Sequence, residues 1–231
     1  MINVFCFGDS VTAGEKDEEL GGWVNRLHIA SIRYLVKSNL QSLRIFNLGL
    51  GGETSDGLVS RFEQEVSSRY FKKETNLAIL QYGLNDVVIH KNKNIAPIEY
   101  YRRNIQTCIK VAREMNLTLL LLGNYYVSEK NNGVIDCHGK LRFNSHIELY
   151  NQTLEKLAND FTLDFLDLNK LLSSKIHSEA NDRRLIDNDG VHLGRYGHHL
   201  LSVYVAKWIS DNSEVDQIEF TNMVSSLSQN N

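Results

Sequence analysis

Short unbroken apolar runs alternate along this chain with longer stretches whose apolar residues fall at helical spacing. Residues 2–7, 43–48 (LRIFNL), 76–82 (NLAILQY) and 117–122 (LTLLLL) read as strands, and a short fifth lies near 163–167. The run at 117–122 is the most apolar, which predicts a central position. Helices are expected from Trp23 to about Lys37, with Trp23, Leu27, Ala30 and Tyr34 on one face, and from about Ser55 to Tyr70. A third covers about 97–115, with Pro97 in its first turn, where a missing N–H costs nothing. Its buried stripe is Tyr101, Ile105, Cys108, Ala112 and Met115. A fourth carries Ile147, Tyr150, Leu154, Leu157 and Phe161, and a last one from about Arg195 turns Leu200, Tyr204 and Trp208 inward. Such alternation implies an α/β fold, a parallel sheet with helices on both faces. Ligands in such sheets bind beyond the carboxyl ends of the strands.

Composition narrows the partners. A net charge of −3 gives no electrostatic case for nucleic acid or an anionic membrane. No apolar run approaches the roughly 20 residues of a membrane span. The first residues enter a strand at once without a basic leader, so a cytoplasmic location is expected. Cys6, Cys108 and Cys137 are an odd number without paired spacing, two of them sit within apolar patterns, and core thiols are the expected reading.

The chemistry-bearing residues fall at the predicted strand ends. FGDSVTAG at 7–14 presents Ser10 directly after the first strand, between Gly8 and Gly14. Alone, Ser10 could be a helix N-cap. As a nucleophile it needs a base. DNDGVHLGRYG at 187–197 offers one in His192, with Asp189 three residues before it to fix the tautomer and stabilise the imidazolium. Acyl transfer further needs donors for the oxyanion. The glycine-rich turn NLGLGGETSDG at 47–57 can supply backbone N–H groups, and Asn85 in GLND a side-chain NH₂.

In these four blocks, FGDSVTAG, NLGLGGETS, YGLND and DGVH, the chain resembles the GDSL-type, or SGNH, hydrolases over nearly its whole length. The resemblance implies a flavodoxin-like three-layer α/β/α sandwich with a five-stranded parallel sheet, an SGNH hydrolase domain spanning 1–212. It implies Ser10 as nucleophile, Asp189 and His192 as its partners, and Ser10, Gly52 and Asn85 as oxyanion donors. Val11 replaces the family's frequent Leu, and Leu193 its frequent Pro after the histidine. The expected activity is serine ester hydrolysis through an acyl-enzyme on small soluble short-chain esters, with no cofactor. A carbohydrate O-deacetylase or a thioesterase would use the same blocks, and a catalytically idle binding module is the rival from another class.

Other features read more plainly. The glycines at 49–52 lack the G-x-G-x-x-G spacing of a dinucleotide site. His198 and His199 point about 100° apart on a helix, so no metal site is expected with His192. Tyr125 and Tyr126 either line a substrate pocket or cover the core edge. Glu15 to Glu19 is expected to be a solvated loop near the site mouth. The stretches 123–142 and 168–188, best placed to cover the site, are mixed and polar, without a broad amphipathic helix. Residues 213–231 read as a polar tail or a loosely docked extension.

Overall fold

The computed structural model describes residues 1–38, 42–176 and 185–227. Five parallel strands form the main sheet: β1 (Ile2–Gly8), β2 (Leu43–Gly49), β3 (Thr75–Gln81), β6 (Thr118–Leu122) and β8 (Asp164–Leu166). Their order is β2-β1-β3-β6-β8. β1 pairs along all seven residues with β2 on one side and β3 on the other. Its backbone is satisfied by neighbours, so INVFCFG is buried throughout without the alternation of a half-exposed strand. The most apolar strand, β6, lies one place in from the β8 edge, and β3 is central. After its first residue each of β3 and β6 is buried at every successive position, so apolar content does not separate the two places.

Between the strands run α1 (Ser10–Ala13), α2 (Gly22–Lys37), α3 (Ser55–Ser67), α4 (Ile98–Glu114), α5 (Asn144–Phe161), α6 (Leu168–Ile176), α7 (Arg195–Asp211) and α8 (Gln217–Ser226). α2, α7 and α8 pack on one another, and α3, α4 and α5 form the second layer. The result is the three-layer α/β/α sandwich expected. Pro97 is the N-cap of α4, just outside its first turn. On α7 the buried face is Leu201, Val205 and Ile209, one residue on from the stripe expected. Tyr204 and Trp208 lean instead over the β8 edge, where Trp208 Nε1 donates to Asp164 Oδ2 at 2.7 Å.

Two segments differ from expectation. The polar stretch after β6 contributes β7 (Lys140–Leu141) to a small antiparallel sheet with β4 (Ile89–His90) and β5 (Lys93–Asn94). The segment read as a tail is packed more firmly than its polar sequence suggests: Val215, Phe220, Met223, Val224 and Leu227 are buried against α2 and α7. The expected tail's last residues, 228–231, and the run 177–184 of the expected polar cover lie outside the described residues.

Candidate active site

The strand order reverses between β1 and β3, and the turns after these two strands carry Ser10 and Asn85. Such a switch point opens a crevice at the carboxyl edge of a sheet. At the end of β1 the N-cap of α1 is Asp9, whose Oδ1 accepts from Val11 N at 2.9 Å. Ser10 is therefore the first helical residue, not the cap, and its hydroxyl is free for another partner. That partner is His192: Ser10 Oγ and His192 Nε2 stand 2.8 Å apart. His192 Nδ1 lies 2.6 Å from Asp189 Oδ2. Asp189 Oδ1 accepts the N–H groups of Val191 and His192, each at 2.9 Å. Burial alone would raise the Asp189 carboxyl, but these N–H groups and the imidazole hold it below the usual carboxylate range.

The loop bearing this pair is braced from the segment after β6. Tyr125 is buried and its hydroxyl donates to Val191 O at 2.9 Å, while Asn131 Nδ2 donates to Asp189 O at the same distance. Tyr125 thus covers the core edge and holds the loop, while Tyr126 reaches Glu148. Leu193 is fully buried and Asp187 N donates to His192 O at 2.8 Å, so packing and backbone pairing hold this loop without the proline. His198, also buried, accepts from Trp23 N and faces Glu15 O, a structural role.

The turn after β2 passes close beneath α1. A Cβ at Gly49 would come within 2.2 Å of Ala13 N, so only glycine fits. Gly52 adopts φ +75°, and a Cβ there would meet nothing within 4 Å. No hydrogen bond engages its N–H among the described residues. Behind this turn Glu53 is clamped by Arg61 and by the Tyr82 hydroxyl at 2.6 Å. Asn85 Nδ2 lies 3.2 Å from both Asp9 Oδ2 and Glu53 O, and its Oδ1 accepts from Arg142 Nη2 at 3.4 Å. Asp9 is fully enclosed, and burial pushes its carboxyl up to about 7.

These groups border a cavity of about 510 Å³. Ser10, Gly52, Asn85 and His192 line it on the sheet side, and Asn131, His138, Lys140 and Arg142 on the side of the small sheet. Cys137 borders the same space and is exposed, which corrects its reading as a core thiol; Cys6 and Cys108 are buried. Asp17, in the stretch expected to be solvated, is instead buried with Arg26 at 2.9 Å and anchors the loop that brings Glu15 to the cavity. A second cleft of about 510 Å³ at the β8 edge has no serine, cysteine or histidine in its lining. The sequence motifs missed Arg142, Asp9 and the 136–140 hairpin. Asp9 stands inside the FGDSVTAG block without an assigned role, the hairpin left the Asp-x-x-Gly turn at 136–139, and Arg142 left no local signal.

The fold is a three-layer α/β/α sandwich with Ser10, His192 and Asp189 in hydrogen-bonded series at the carboxyl edge of its sheet. The GDSL-like Lipase/Acylhydrolase family model matches residues 6–200, and the chain belongs to that family. No curated protein matches it in sequence. Among solved structures it is similar to a lipase/acylhydrolase from Enterococcus faecalis, at 21% identity and TM-score 0.69, covering 94% of this chain and 100% of that one. An acetylxylan esterase from Geobacillus stearothermophilus is similar at 16% identity and TM-score 0.67, covering 90% and 93%. No helix among the described residues is long and apolar enough to cross a membrane.

Proposed function

We propose that this hydrolase is a serine esterase that cleaves small, soluble esters through an acyl group carried on Ser10. The observation that carries the reading is the hydrogen-bonded series Ser10 Oγ, His192 Nε2, Asp189 Oδ2, at 2.8 and 2.6 Å. His192 takes the Ser10 proton as Oγ attacks the ester carbonyl and returns it to the leaving alcohol. It then deprotonates the water that releases the acid. Asp189, held as a carboxylate, keeps Nδ1 protonated and Nε2 free to accept.

The carbonyl oxygen gains negative charge in the transition state and is met by the N–H groups of Ser10 and Gly52 and by Asn85 Nδ2. Asn85 lines the cavity, so its Nδ2, 3.2 Å from both Asp9 Oδ2 and Glu53 O, can be shared with an oxygen there. Every group in this scheme comes from the chain, and no cofactor enters it. The wall of Asn131, His138 and Lys140 favours a polar alcohol, including an acetylated carbohydrate, over a hydrocarbon one. Reaction with an organophosphonate tests the reading: Ser10 should be labelled stoichiometrically, and Ser10→Ala should lose both labelling and esterase activity. Labelling at another serine, with Ser10→Ala still active, overturns it.

A further inference from the structure

Arg142 lies between β7 and α5, and no motif pointed to it. Its side chain is buried, yet the guanidinium reaches three acceptors. Nε donates to Leu84 O at 2.9 Å, Nη2 to Asn85 Oδ1 at 3.4 Å, and Nη1 lies 3.5 Å from Asp136 Oδ2. Leu84 and Asn85 are adjacent in the turn after β3, while Asp136 belongs to the hairpin at the cavity wall. One planar fork therefore ties the wall to the residue read above as an oxyanion donor.

The chemistry of the partners makes this contact directional. An asparagine amide is nearly symmetric in shape, so only its hydrogen bonds decide which end is oxygen. A guanidinium has donors and no acceptor. On the far side of Asn85 stand the Glu53 carbonyl and the Asp9 carboxyl. A reversed amide would set NH₂ against the guanidinium and C=O against the Glu53 carbonyl, losing both bonds. Asp9 can carry a proton near neutrality and then donate, so its preference changes with pH. Arg142 and the Glu53 carbonyl keep theirs.

We propose that Arg142 is a positioning residue for ester hydrolysis, holding the Asn85 amide with its NH₂ toward the reacting carbonyl oxygen. By drawing on Oδ1, the guanidinium also strengthens that NH₂ as a donor, because linked hydrogen bonds polarise one another. The proposal rests on the reading of Asn85 as an oxyanion donor.

A double-mutant cycle on the full chain tests it, with a short p-nitrophenyl ester as substrate and organophosphonate labelling of Ser10 scored on every variant. Asn85→Ala alone should lower kcat by roughly 10²–10³-fold with little change in KM. Arg142→Met should lower kcat less, about 10-fold to 100-fold, again with KM nearly unchanged, and Arg142→Lys should fall between it and the parent. In the Asn85→Ala background, Arg142→Met should cost less than about twofold more, because the group it acts through is gone. A raised KM with unchanged kcat would make Arg142 a substrate contact and overturn the proposal. Losses that multiply in the double variant would equally overturn it, since Arg142 would then act without Asn85. Full kcat in Asn85→Ala removes its foundation while leaving Ser10 labelling, and hence the esterase reading, intact. Should Arg142→Met fail to fold, the same cycle run with Arg142→Lys decides between these outcomes.

Discussion

Asp9 stands next to the proposed nucleophile but turns its carboxyl away from His192, toward Val11 N and Asn85. Enclosed at 1% exposure, its carboxyl is pushed from 3.8 up to about 7, with burial the main cause and the Val11 N–H opposing it. The folded state thus keeps a proton that the unfolded state has released. Below about 3.8 both states are protonated and Asp9 costs nothing. As pH rises toward 7 the unfolded chain ionises first, and stability falls until the folded group ionises too. Asp86, raised to about 6 mainly by burial, acts in the same direction. Asp9→Asn should therefore gain stability relative to the parent between pH 4 and 7, read as the difference in urea unfolding free energy at each pH. A constant difference across that range would mean that Asp9 is not protonated in the fold. Ser10, Gly52, Asn85, Asp189 and His192 could be named as candidates from sequence because each sits in a short motif at the end of a strand or in a loop. Arg142 could not, because it reaches Asn85 across 57 residues of chain and its role depends on packing alone.

At the scale of elements, periodicity decided what could be read. The strands of the main sheet are buried on both faces, so they appear as continuous apolar runs, and α2 and α4 show clear stripes. The strands of the small sheet have two residues each, too few to carry any period. α8 did leave a trace, since Phe220, Met223, Val224 and Leu227 follow helical spacing, but the serines, asparagines and glutamines around them dilute it. Its anchoring is specific: Phe220 meets Tyr34 edge-on with ring centroids 5.7 Å apart, and Tyr34 Oη accepts from Asp216 N at 2.9 Å. Phe220→Ala should cost about 3–5 kcal/mol in chemical unfolding, as for other buried aromatic side chains. A loss within about 0.5 kcal/mol, the usual range for a surface position, would return this segment to a loosely docked extension.

For the molecule as a whole, the polar wall sets the expected substrate. The cavity of about 510 Å³ lies within the common range for small-molecule sites. Exposed apolar side chains of the 123–142 segment, Val134 and Ile135, offer little area for an acyl chain or a lipid surface. Across p-nitrophenyl esters from acetate to palmitate, kcat/KM should peak at acyl chains of about two to four carbons. A maximum at about eight carbons or more, or activation by emulsified substrate, would show that the wall is not the determinant. The contact between Ser10 and His192 also spans 182 positions of sequence. Under the proposed mechanism the nucleophile leaves the ribosome long before its base is made, so a growing chain would carry an inert hydroxyl until His192 is added. Fragments cut anywhere between the two should each be silent and should recover turnover only on reassociation. Hydrolysis would therefore serve as a clock for completed folding, started by the arrival of residues near 192.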